Sequence, residues 1–289
     1  MRLVSFVDRA EPSLVRTGVV AGDEVVDLTD PAVGLPRDMT VLLVGEPAAL
    51  ERAGAAPASG ARRLALEEVV LRAPVPHPAK VLGIGLNYAE HIAETRASRP
   101  EHQLWFNKQR TCVIGPHEPI EIPAVSDQVD YEGELAVVIG RRARHVPVAD
   151  AMSVVAGFTV MNDVSVRDWQ RRTPTWTLGK SFDTHGPCGP FLVTPDEVGD
   201  PQALRLRTWV SGELRQDAST AAMLFSCAEQ IAYLSTAFTL EPGDILTTGT
   251  PAGVGQGFDP PRWLVAGDVV RIEIEGVGVL ENPVAAATG

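Results

Sequence analysis

The sequence predicts a mainly β protein with short helices, an α+β chain, and three features carry that expectation. Glycine and proline supply 26 and 23 of the 289 residues, well above the roughly 12% of an average chain, which favours short strands joined by tight turns. Short apolar runs bounded by turn residues recur along the chain. Helical periodicity is confined to a few brief stretches.

In chain order, LVSFVD, LVRTGVV and EVVDLTD predict a small antiparallel start, with AGDE as the turn between the last two. MTVLLVGEPAALERAG, residues 39–54, predicts one short helix. In RAPVPHPAK, three prolines within five residues remove donors and stiffen the path, so a linker is expected there. The chain is divided accordingly into a small N-terminal domain, 1–74, and a larger domain, 75–289. Beyond the boundary a strand ends in GIGLNY, and Asn87 is the expected cap of a short helix carrying His91 and Glu94. VDYEGELAVVIG, 129–140, predicts a single strand, and VVAGFTVMNDVSVRDWQ a second one that ends at Asn162 and Asp163 before a helix start. SFDTHGPCGPFLV is turn-rich and feeds a further strand. SCAEQIAYLSTAF carries Ser226 and Glu229 at capping-box spacing. The tail alternates short β runs, GDILTTGTPAGVG and then a hairpin turning at Gly276.

The charge balance excludes some partners. With 25 Lys plus Arg against 37 Asp plus Glu, the formal charge of −12 repels phosphate backbones and anionic membrane surfaces, so neither nucleic acid nor membrane is expected. The N-terminus reaches Asp8 before any long apolar run, and no run approaches the ~18 residues of a membrane span. Cys112, Cys188 and Cys227 are too few and too scattered for a disulfide framework, which fits a reducing cytoplasm.

Several motifs fail on inspection. Gly83-x-Gly85 follows a strand, but Tyr88 holds the place of the third glycine in a dinucleotide fingerprint. LGKS at 178–181 has Pro174 where a phosphate loop needs glycine. There is no G-x-S-x-G elbow and no H-E-x-x-H pair, and the six histidines show no zinc spacing. Any metal would therefore be a hard ion held by oxygen.

The strand at 129–140 supplies such oxygens. Alternation places Asp130, Glu132 and Glu134 on one face, at the ~6 to 7 Å spacing of same-face neighbours. Two carboxylates at that distance repel by roughly 0.6 kcal/mol in water and about 2.5 kcal/mol at an effective dielectric near 20. If the strand end is exposed the arrangement is cheap and uninformative; if it is buried a cation is required. Glu132, Glu134 and Asp163 around Mg²⁺ or Mn²⁺ would turn repulsion into attraction and leave positions open for water and substrate. His91 and Glu94, three apart, share a helix face on which a carboxylate can orient an imidazole; an exposed ion pair has the same spacing. Position alone does not separate Lys180 from a solvated surface lysine.

Together, GIGLNYAEH, VDYEGELAVVIG, VMNDVSVRDWQ, TWTLGKSFDTHGPCGP and ILTTGTPAGVG resemble the fumarylacetoacetate hydrolase family in order, spacing and wording. The resemblance covers most of the second region and implies a mixed β-sandwich roll, a homodimer, Mg²⁺ or Mn²⁺ (with Ca²⁺ as a crystallographic substitute) and a 2-oxo acid substrate. Carried over, it implies Glu132, Glu134 and Asp163 as metal ligands. It also implies Lys180, His91 and Glu94 as catalytic residues, with Gln170 and Thr250 holding substrate. Arg167 shares the Gln170 block. One departure is that Ile84 stands near the place of the fourth metal carboxylate of larger members.

The activity so implied is metal-dependent hydrolysis of a carbon–carbon bond in an acylpyruvate or other 2,4-dioxo acid, through an enolate that the ion stabilises. Decarboxylation of an oxaloacetate-type acid and isomerisation or hydration of an unsaturated 2-oxo diacid use the same chemistry and are the alternatives. Outside enzymes, the alternative is a metal-stabilised binding protein. Residues 95–105 are expected to complete the pocket, with Arg96, Arg99 or Arg110 meeting a second carboxylate.

Overall fold

The computed structural model describes residues 1–45 and 48–287. Strand Gly133–Ile139 is the wall on which the molecule is built. All seven of its residues are buried, as befits a strand covered on both faces. Leu135, Val137 and Ile139 enter one apolar core with Phe158, Val160, Leu206, Ile272 and Leu280. Ala136 and Val138, pointing the other way, enter a second with Leu3, Leu42, Met161, Leu192 and Ile245. Each large apolar side chain so buried contributes roughly 1.5–3 kcal/mol, so the period-2 pattern pins this strand's register.

That strand lies between Val155–Asn162 and Ile245–Thr247 in a large mixed sheet, and Val81–Gly85 and Leu104–Lys108 extend it to one edge. A second sheet, Glu213–Ser219, Arg205–Val210, Val269–Ile274, Gly278–Ala286 and Ile120–Ile122, packs across the first core. The fold is thus mostly β, with two sheets enclosing one core and short helices outside. The tail hairpin turns at Gly276, and the capping box of Ser226 and Glu229 opens helix Cys227–Ala237. The three cysteines are free and buried.

Several local expectations are corrected. The antiparallel start forms, but strand Arg2–Asp8 also pairs with Gly186–Val193, so the N-terminal strands continue the large sheet. The proline-rich segment is packed rather than an exposed linker: Ala73 and Val75 are 3% and 1% exposed, and the Pro74 carbonyl accepts from Ser5. The helix expected over 39–54 is two, Met39–Val44 and Ala48–Ala55, because the Gly45 N–H closes the first turn onto Leu42 and Leu43; positions 46 and 47 lie outside the described residues. Asn87 does not cap helix Ala89–Glu94. Its amide donates to the Phe225 and Thr248 carbonyls and its oxygen accepts from Phe225 N, so it staples two loops instead.

The most consequential correction concerns 129–140. The single strand is broken at Tyr131 and Glu132 into Val129–Asp130, paired with Ser165–Val166, and Gly133–Ile139. Asp130 consequently leaves the face of the two glutamates. Its carboxylate accepts from Gly255 N at 2.6 Å, Gln256 N at 3.0 Å and Arg167 Nε at 2.8 Å.

Candidate active site

The break in the strand is what assembles the site. Glu132 N donates to Asn162 Oδ1 and Asp163 N donates to the Glu132 carbonyl, which locks the end of strand Val155–Asn162 against the residues entering Gly133–Ile139. Gly133 is required between the two glutamates, because a Cβ there would stand 2.3 Å from Thr208 Oγ1 of the second sheet. With that close approach, Glu132, Glu134 and Asp163 are all buried and offer oxygens within 4.8 Å of one another.

Lys180 reaches the triad from a loop that packs directly on helix Arg167–Gln170. A Cβ on Gly179 would lie 2.2 Å from Gln170 N, so only glycine permits the approach. Lys180 Nζ donates to Glu132 Oε2 at 2.6 Å and Asp163 Oδ2 at 2.7 Å, over the face of Phe106. Far from being a surface lysine, it is 2% exposed. Arg167, equally buried, joins Asp130 to Glu132 Oε1 at 2.7 Å and donates to Gln170 Oε1. The unforeseen member is Lys108, whose ammonium donates to Asp163 Oδ1 at 2.7 Å and to the Lys180 carbonyl.

These contacts divide the carboxylates electrostatically. Burial works against the Glu132 anion, but Lys180 and Arg167 outweigh it and hold that carboxyl below its usual range. Glu134 has no cation within hydrogen-bond reach among the described residues and accepts a backbone N–H, from Gly249 at 2.7 Å. Burial, reinforced by the charges of Asp163 and Glu132, pushes its carboxyl well above the ordinary value. Formally the buried cluster holds four carboxylates, Asp130, Glu132, Glu134 and Asp163, against three cations, Lys108, Arg167 and Lys180. A divalent ion at the triad would relieve the Glu134 repulsion and leave one net positive charge for an anionic ligand. The all-oxygen donor set is that of a hard ion such as Mg²⁺ or Mn²⁺.

A cavity of about 270 Å³ opens beside the triad and is lined by Glu132, Glu134, Lys180, Arg167, Gln170, Thr250 and His91, among others. Thr250 is held by Gln216 Nε2 and donates to the Gly133 carbonyl. His91 Nδ1 stands 3.2 Å from Glu94 Oε2, and Glu94 Oε1 accepts from Gly253 N, so the short helix is docked on the 253–257 loop. A carboxylate only accepts, so Nδ1 carries the proton and Nε2 is the basic nitrogen. All eight predicted site residues therefore converge, with Glu94 behind His91. Thr95 and Ala97 line the pocket, two of the residues expected from 95–105, and Ile84 lines it as well. Arg96, Arg99 and Arg110 do not line it.

The fumarylacetoacetate hydrolase C-terminal model matches residues 80–285. The chain belongs to the fumarylacetoacetate hydrolase family. Over 290 residues it is 44% identical to the mitochondrial oxaloacetate tautomerase Fahd2a of Rattus norvegicus, covering 98% of this chain and 91% of the relative. Among solved structures it resembles the fumarylacetoacetate hydrolase of Exiguobacterium antarcticum, with 37% identity and a TM-score of 0.87 over 99% of this chain and 100% of that one. The maleylpyruvate hydrolase of Sphingobium sp. SYK-6, solved with manganese(II) and pyruvate, matches with 34% identity and a TM-score of 0.81 over 100% of both chains. As a member of this family the protein is an enzyme. Among the described residues no helix is long and apolar enough to cross a membrane.

Proposed function

We propose that this enzyme uses a divalent ion, Mg²⁺ or Mn²⁺, held by Glu132, Glu134 and Asp163, to move a proton on the carbon beside the carbonyl of a short 2-oxo diacid of the oxaloacetate type. One observation carries the reading: His91, oriented by Glu94, lines the same cavity as Glu132 and Glu134 of the buried triad. The full-length likeness to an oxaloacetate tautomerase supports it.

The bound ion would withdraw electron density from the 2-oxo acid and so acidify its C3 hydrogens. The chain's residues do the rest. His91 Nε2 accepts the C3 proton as the C–H pair becomes the enol double bond, and the imidazolium returns it to the 2-oxo oxygen, so that the net change is keto to enol. Glu94 stabilises the imidazolium while it exists. Lys180 Nζ opposes the negative charge that develops on oxygen, and Gln170 and Thr250 orient the acid. Phe106 and Ile84 exclude water.

The second reading is hydrolysis of a carbon–carbon bond in an acylpyruvate. It is supported by the same His91 and Glu94 pair, which can take a proton from water instead, and by the likeness to maleylpyruvate hydrolase. The deciding experiment follows the ultraviolet absorbance of enol oxaloacetate and of acylpyruvates with the Mg²⁺-loaded protein. Faster loss of the oxaloacetate enol with no acylpyruvate cleavage supports the tautomerase reading; the converse supports the hydrolase, and silence in both defeats the pair.

A further inference from the structure

We infer that Arg171 selects 2-oxo acids that carry a second anionic group, remote from the carboxylate beside the carbonyl. The inference rests on the 2-oxo acid reading of the site and names the residue that would make it a diacid site.

Arg171 lines the inner cavity and also an adjoining outer one of about 760 Å³, so it stands where the two meet. Its backbone is fixed, and its side chain is exposed. Its N–H donates to the Arg167 carbonyl, continuing the helical turn that carries Arg167 and Gln170. Arg167 and Arg171 are therefore one turn apart on one helix face, an arrangement that repels unless anions intervene. For Arg167 they do intervene, as Asp130 and Glu132. Arg171 has only an uncharged side-chain partner, Gln128 Oε1 at 2.9 Å, and no described carboxylate forms an ion pair with it. Its neighbour Arg172 shows the contrast, being stacked on Trp169 and paired with Asp168.

In a chain with formal charge −12, an arginine at a cavity mouth without an acid is an anion receptor in waiting. The other arginines are less well placed. Arg96 lines only the outer cavity, Arg110 a separate one behind Lys80, and Arg99 neither. Of the acids lining the outer cavity, Glu94 is already occupied by His91 and Gly253 N, and Asp259 forms no ion pair with Arg171.

Oxaloacetate and pyruvate form the test pair, because they differ only by the distal carboxylate. Their dissociation constants are measured by calorimetry on the Mg²⁺-loaded wild type, Arg171→Gln and Arg171→Lys. The glutamine variant is expected to weaken oxaloacetate roughly tenfold, pyruvate by less than twofold, and Mg²⁺ not at all, with the lysine variant intermediate for oxaloacetate. Equal weakening of both acids, no weakening of either, or a fall in Mg²⁺ affinity would overturn the assignment. Failure of the proposed function reads out separately: a wild type that binds oxaloacetate through Arg171 yet does not accelerate its enol decay refutes the tautomerase and leaves this inference standing.

Discussion

Lys108 Nζ lies 2.7 Å from Asp163 Oδ1, and both side chains are wholly buried. The same ammonium donates to the carbonyls of Val164 and Lys180, so one cation ties a carboxylate of the buried triad to the loop that carries Lys180. Removing one partner of a buried ion pair leaves the other uncompensated, at a cost of about 3–5 kcal/mol. Lys108→Met should therefore lower the urea midpoint by a corresponding amount in the presence of chelator. An unchanged midpoint would show that Asp163 finds compensation elsewhere.

Of the three proposed ligands Glu134 has the least protein support, and Glu134→Gln isolates its role. The amide can still accept from Gly249 N, so the fold should survive with little change in apo stability. Loss of groups outside the ligand sphere already weakens metal sites by roughly 10–100-fold, and loss of a direct ligand should exceed that. Calorimetric titration with Mg²⁺ measures it. Wild-type affinity in the variant would remove Glu134 from the site.

His91 lines the cavity, with Glu94 behind it, from a helix that carries none of the proposed metal ligands, so chemistry and metal affinity should separate there. His91→Ala is expected to slow turnover by about 10²–10⁴-fold while Mg²⁺ titrates as in the wild type. Glu94→Gln should slow it less, since the imidazole loses its charged partner but remains in place. Undiminished turnover in the alanine variant would rule out His91 as the base.

What could be read from sequence follows the range of the forces involved. Alternation at 135–139, the cap at Ser226 and the hairpin at Gly276 are set by neighbours in the chain, and they form as expected. The order and spacing of scattered polar blocks single out Glu132, Glu134, Asp163, His91 and Lys180, and the structure brings these five together. Asp130 was misplaced because its partners, Gly255 N and Gln256 N, lie some 125 residues on. Nothing around Lys108 in LWFNKQ marks it; its meaning comes from Asp163, 55 residues later. Arg171 likewise looks like half of an ordinary basic pair until the cavity shows which of the two lacks an acid.

His185 connects the fold to pH. It is fully buried, its Nε2–H donates to the Glu121 carbonyl at 2.8 Å, and Nδ1 has no partner. Burial, with Lys108 nearby, depresses its pKa from 6.5 to about 4. The unfolded chain thus binds a proton between these values and the folded one does not. The stability this neutral histidine contributes is full above about pH 6.5 and is lost as pH falls towards 4, on the order of 3 kcal/mol in all. Replacing it with glutamine, which can keep the bond to Glu121, removes the titration. Urea unfolding of both proteins at pH 7.5 and pH 4.5 should show the wild type's advantage shrinking by roughly 2–3 kcal/mol on acidification. A difference that stays constant across that interval would mean that His185 protonates without leaving its site.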